Sequence, residues 1–154
     1  MPHVDLTSLP ARGPLIAIDP GSRTLGIAAC DALRMIASPV EAIARGKKLA
    51  PSLDRLFALY DNRGAVGIIV GLPLNMNGTA GPRTQAAKAL AHNILGRRDI
   101  PLAFQDERLT SAEAERAMIT ADMSRARRAE VIDASAAAII LQTAIDLLAN
   151  TQGD

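Results

Sequence analysis

Asp19 closes the apolar run Leu15-Ile16-Ala17-Ile18 and opens the turn Asp19-Pro20-Gly21-Ser22. A carboxylate at the end of such a strand projects from the carboxyl edge of a sheet, where open α/β folds bind their ligands. Asp-Pro-Gly is also good turn chemistry in its own right. Asp106 and Glu107 follow a second apolar run, Ile100 to Phe104. They put at least one more carboxylate at the same edge, or else form an acidic pair in a solvated connection. Asp133 is the most telling acid. Positions three, four, seven and eight residues further on are Ala136, Ala137, Ile140 and Leu141, so Asp133 shares the apolar face of its helix. A carboxylate aimed at a core is costly unless paired or metal-bound, although a first-turn acid also complements the helix dipole. Glu113 is explained by the capping box Thr110-x-x-Glu113 and stays outside the site.

Three acids far apart in sequence repel one another if they meet, unless a cation lies between them. Oxygen-only donors suit Mg²⁺ or Mn²⁺. Two such ions about 4 Å apart activate a water and stabilise the leaving oxygen of a phosphodiester. Neither histidine has a partner at zinc-ligand spacing, and no Ser-His-Asp arrangement is apparent. Arg23, Arg108 and the run Arg125, Arg127, Arg128 are candidates for holding substrate phosphates. Taken alone, that run reads more readily as a solvated loop.

The elements that must position these residues follow from periodicity. Leu15–Ile18, Leu25–Cys30 and Met35–Ala37, the last reaching up to Pro39, are expected as three strands joined by turns so short that they must be antiparallel neighbours. From about Lys47 the spacing turns helical, through Leu49, Leu53, Leu56, Phe57 and Tyr60, until Asn62-Arg63-Gly64 ends the helix. Val66–Val70 is a near-continuous apolar run, typical of a central strand. A loop over 71–79 follows, then a helix from Pro82 to about Leu95. Ile100–Phe104 is the fifth strand. A short helix over 110–121, a basic loop over 123–128 and a final helix from about Glu130 to Asn150 complete the chain. The pattern predicts an α/β fold: a five-stranded mixed sheet, three antiparallel strands then two parallel, with helices on both faces. Residues 14–150 are expected to form one domain, preceded by a flexible leader (1–13) and followed by a tail (151–154).

Composition narrows the partners. Of 17 basic residues 14 are arginine, yet the net charge is only +1, so the molecule is no polycation. Phe57, Tyr60 and Phe104 are the whole aromatic complement, which leaves little with which to stack unpaired bases. Cys30 is the single cysteine, so no intrachain disulfide forms and a reducing cytoplasm fits. The N-terminus lacks a signal peptide's charged start and apolar stretch. No segment approaches the ~20 apolar residues of a membrane span.

Four stretches are familiar together. Ile18-Asp19-Pro20-Gly21-Ser22-Arg23-Thr24-Leu25-Gly26-Ile27-Ala28 resembles the opening motif of the YqgF family, also described as RuvX-like Holliday junction resolvases. Ile69 to Thr79 (IVGLPLNMNGT), Asp106-Glu107-Arg108-Leu109-Thr110-Ser111 and Ile132-Asp133-Ala134-Ser135-Ala136-Ala137 resemble its second, third and fourth motifs. The four occur in the family's order and span nearly the whole chain. The resemblance implies an RNase H-like fold and a metal-dependent nuclease with Asp19, Glu107 and Asp133 in the catalytic, metal-binding positions. It further implies that Asp19 bridges two ions and that Glu107 and Asp133 complete one each. Asp106 is then a fourth ligand or a neighbour that holds Arg108, and Asn75, Asn77, Gly78 and Thr79 form a substrate loop. Asn77 departs from the Asp expected more often there. The implied substrate is the 5′ end of precursor 16S ribosomal RNA, within a pre-ribosomal particle. The alternative is a Holliday junction, which resolvases cut as two-fold dimers, so the expected state is a monomer or a homodimer.

Two other readings compete. Sugar kinases and actin-type ATPases also carry Asp-x-Gly-Ser/Thr, but they need two such domains, and 154 residues supply one. A non-catalytic module binding ribosomal or transcription partners leaves Asp133 without a structural need.

Overall fold

The computed structural model describes the backbone of residues 6–109 and 125–152, and the side chains of 6–108 and 134–150. Five strands, β1 (Leu15–Pro20), β2 (Thr24–Cys30), β3 (Ala37–Ala44), β4 (Gly67–Leu72) and β5 (Leu102–Asp106), form one sheet in the order β3-β2-β1-β4-β5. β1 pairs antiparallel with β2, and β2 with β3, while β4 and β5 run parallel to β1. That is the mixed sheet expected from the turn lengths. The helices are α1 (Ala50–Asn62), α2 (Pro82–Arg97) and α3 (Arg125–Gln152). Among the described residues none is long and apolar enough to cross a membrane.

Alternation along the strands sorts the core into two layers. Ile16, Ile18, Ile68, Val70 and Leu102 face α1 and α2, packing on Leu56, Leu90 and Ile94. Leu15, Ala17, Ile69 and Ala103 face α3, packing on Ala137, Ile140, Leu141 and Ala144. The alanines on both sides let α3 approach the sheet closely. Leu9, before β1, is 6% exposed and joins the α3 layer. Arg34 donates to the carbonyls of Pro10 and Gly13 beside it. Cys30 belongs to the same layer, accepts the Leu15 N–H at 3.4 Å, and has its thiol pKa pushed up mainly by burial.

Three expectations need correction or fall outside the described residues. β3 spans Ala37–Ala44 rather than ending at Pro39. It is an edge strand with a register shift opposite Ile27/Ala28, where a proline lacking an N–H is tolerated. The basic stretch is no loop: α3 begins at Arg125, so the backbone of Arg125, Arg127 and Arg128 is helical. Arg and Ala are strong helix formers and no Gly or Pro interrupts them. The helix expected over 110–121 lies outside the described residues.

Candidate active site at the carboxyl edge of the sheet

β1 brings Asp19 to the end of the sheet and buries it to 8% exposure. Its odd-numbered position turns it to the α3 side, as with Leu15 and Ala17. On β2 its cross-strand partner is Gly26. On β4 the register Ile18↔Val70 puts Gly71 level with Asp19. Residues opposite one another share a face, so this carboxylate is flanked on both sides by residues without side chains.

Glu107 reaches Gly71 from the end of β5. It starts the 3-10 turn Glu107–Leu109 that follows β5 directly. A Cβ built on Gly71 would stand 3.3 Å from both Cγ and Cδ of Glu107 and 2.7 Å from Cδ1 of Ile140. Glu107 and Ile140 therefore fill the space that Gly71 leaves, and Oε2 of Glu107 is buried. The row Gly26–Asp19–Gly71 continues to Gln105, the partner of Gly71 on β5. Gln105 is 2% exposed, and its Nε2 is buried without a hydrogen-bond partner among the described residues. The sequence reading missed it, because a lone glutamine in a short strand carries no signal until its neighbours are known.

Asp133 belongs to α3, four residues before Ala137 and seven before Ile140. α3 runs from Ile140, against Gly71 at the carboxyl end of β4, toward Ile145 and Leu148, which line a cavity with Arg12 and Leu33 at the opposite edge. Its N-terminal turns therefore lie toward the edge that carries Asp19 and Glu107. The Asp133 side chain, like those of Arg125, Arg127 and Arg128, is outside the described residues. Among the described residues no group of three metal-ligating side chains occurs.

Asp106 is committed elsewhere. Its Oδ2 lies 2.6 Å from Nη2 of Arg108, and its Oδ1 accepts the Arg108 backbone N–H at 2.9 Å. The side-chain bond to Arg108 holds its carboxyl below the usual carboxylate range. Arg108 also reaches the Met76 carbonyl at 3.4 Å and lies 3.2 Å from where a Gly78 Cβ would be. It thereby joins the end of β5 to the 75–79 loop. That loop is knitted internally: Asn77 Oδ1 accepts from the Thr79 N–H (3.1 Å) and hydroxyl (2.7 Å), Asn75 Nδ2 donates to Thr79 Oγ1, and Gly78 turns at φ +86. The oxygen that Asn77 uses is one an aspartate would also have, so the departure at this position leaves the turn intact. Arg23 lies exposed on the β1–β2 turn.

The donors at this edge, two carboxylates beside Gly71, are oxygen only and suit a hard divalent cation. A family model described as "RuvX: Holliday junction resolvase" matches residues 13–147. A Sphingopyxis alaskensis protein named "Putative pre-16S rRNA nuclease" is 50% identical over 143 residues, covering 92% of this chain and 91% of its own. A Rhodospirillum rubrum protein of the same name is 46% identical over 142 residues, covering 92% and 88%. Among solved structures, T. thermophilus RuvC in complex with a Holliday junction substrate aligns with TM-score 0.55 at 14% identity, covering 92% of this chain and 96% of that one. The yeast mitochondrial Holliday junction resolvase Ydc2 aligns with TM-score 0.52 at 12% identity, covering 90% and 80%. The fold is that of the RNase H-like resolvases.

Proposed function

The chain belongs to the RuvX family, and from that membership we propose that it is a divalent-metal-dependent nuclease that trims the 5′ end of precursor 16S ribosomal RNA in the cytoplasm. The observation that supports the chemistry is that two carboxylates stand beside Gly71 at the carboxyl edge of the sheet, Asp19 level with it on β1 and Glu107 packed against it. The substrate follows the name shared by relatives up to 50% identical over nearly the full chain.

Asp19, Glu107 and Asp133 are the residues that would hold Mg²⁺ or Mn²⁺. When bound, the metal supplies an activated water and charge stabilisation for the leaving oxygen. The chain's own part is positional. The strand end fixes Asp19, and packing against Gly71 restrains Glu107. Asp106 keeps Arg108 in place, and Arg108 in turn holds the 75–79 loop, the proposed substrate loop, at the end of β5. Arg125, Arg127 and Arg128, at the start of α3, neutralise phosphates flanking the scissile one.

Purified protein assayed side by side on a precursor 16S rRNA 5′ leader and on a four-way DNA junction tests this. The expected outcome is Mg²⁺- or Mn²⁺-dependent cleavage of the leader, abolished by Asp19→Asn and by Glu107→Gln. Cleavage that persists in Asp19→Asn would sink the assignment. Preferential cutting of the junction would move the substrate to branched DNA, the activity named in the family's own description.

A further inference from the structure

Several surface arginines are matched to carboxylates: Arg55 to Glu41, Arg97 to Asp54, Arg98 to Asp61 and Arg108 to Asp106. Arg23, Arg45 and Arg83 are different. None of them takes part in a salt bridge among the described residues, and together with Ser22 and Thr24 they line a cleft of about 430 Å³. They come from three separate places: the β1–β2 turn, the residue after β3 and the first turn of α2.

The cleft is a constructed feature. Gly21 donates its N–H to the Thr24 carbonyl at 3.0 Å, and a Cβ on Gly21 would stand 2.5 Å from that oxygen, so the turn closes only with glycine. Arg45 then clamps it. Its backbone N–H donates to the Arg23 carbonyl at 2.8 Å and its Nη1 to the Gly21 carbonyl at 2.6 Å. A guanidinium offers five N–H donors in a planar fork, and this side-chain bond engages one. Three like charges at one cleft with no carboxylate among its lining residues form a site that an anion stabilises. Consecutive strand residues face opposite sides. Asp19 therefore faces the α3 side while Pro20, next in the chain, lines this cleft beside α2.

We propose that the cleft binds a backbone phosphate of the nucleic-acid substrate, so that the strand is gripped at the sheet's carboxyl edge on both sides of Asp19. This rests on the nuclease reading for the identity of the anion. The test is metal-free binding of a fluorescent single-stranded RNA, measured by anisotropy across a KCl series in the Asp19→Asn protein. Adding Arg23→Gln and Arg83→Gln should weaken binding at least about tenfold at low salt. It should also reduce the slope of log K against log salt by about 0.7 for each phosphate that is no longer neutralised. A charge-matched pair away from the cleft, Arg12→Gln with Arg63→Gln, should leave that slope as it was. Matching thermal melts check that the variants fold, and Arg83→Gln alone repeats the test with one change. An unaltered slope in the cleft variant, or an equal loss in the control pair, overturns the inference while leaving the nuclease reading standing. No RNA binding by the Asp19→Asn protein overturns both. Cleft-dependent binding in a chain whose wild type never cleaves would remove only the nuclease reading.

Discussion

Gly71 is the residue on which packing and chemistry press together. Any side chain there meets Cδ1 of Ile140 at 2.7 Å and Glu107 at 3.3 Å. Gly71→Ala is therefore expected to destabilise the fold by about 1–3 kcal/mol, as overpacking does, and to displace Glu107. Adding Ile140→Val removes the nearer obstruction, Cδ1. In urea titrations the double variant should recover much of the missing stability, while nuclease activity stays low because the clash with Glu107 remains. Full recovery of activity would show that Glu107 is not held from this side. Asp106 carries a second prediction. Arg108 depresses its pKa, so the ionised pair favours the folded state. That contribution is intact above the ordinary carboxylate value of 3.8 and is lost as pH falls from there through the lower folded-state value. Asp106→Asn should be less stable than wild type at pH 7, by a modest margin because the pair is partly exposed. The gap should close in melts taken below that range. A gap that persisted unchanged into strong acid would mean the ionised carboxylate is not the cause.

At the scale of elements, the loop between β4 and α2 is fixed by one hydroxyl. Thr84 is fully buried, its Oγ1 donates to the Pro73 carbonyl, and it accepts the Gly81 N–H at 3.2 Å. These two bonds tie the start of α2 to the strand end and set where the 75–79 loop lies. Thr84→Val keeps the volume and removes both, leaving a part-buried carbonyl and N–H to find other partners. The expected loss is about 1–3 kcal/mol. Cleavage should also fall, through a higher KM, if the loop steers substrate. An unchanged KM would show that the loop stands clear of the strand being cut. The C-terminal end of α2 is secured differently. Arg97 and Arg98 lie over the rings of Phe57 and Tyr60 on α1, with cation-to-ring distances of 5.1–5.7 Å. Two of the chain's three aromatics are thus occupied beneath arginines, far from any role as base-stacking platforms.

For the molecule as a whole, the sheet separates two packed layers that share its strands. Leu90 and Leu141 are core residues of opposite layers, exposed 2% and 0%. Leu90→Ala and Leu141→Ala should each cost about 2–5 kcal/mol. Because the sites lie on opposite faces with no shared cluster, the two costs should add. Each variant should still unfold in a single transition, since both layers are built on the same five strands. Two resolved transitions in calorimetry would show that the layers melt independently.

What could be read from the residues was whatever depends on near neighbours. The run Leu15–Ile18 followed by Asp19-Pro20-Gly21 specified a strand and its end, and short turns dictated the antiparallel pairing. A sustained apolar stripe announced α3, with Asp133 on it. Local signals misled where a wider context ruled. Pro39 reads as a terminator until β3 proves to be an edge strand, and Arg125-Ala126-Arg127-Arg128 reads as a loop although nothing in it breaks a helix. Tertiary structure alone decided which distant residues meet. Register set Gly26 and Gly71 on either side of Asp19, and extended their row to Gln105 on β5. The crossing of three elements gathered Arg23, Arg45 and Arg83 at one cleft. Periodicity tells a side chain which face it takes. Only the pairing of strands and the direction of a helix tell it what it will find there.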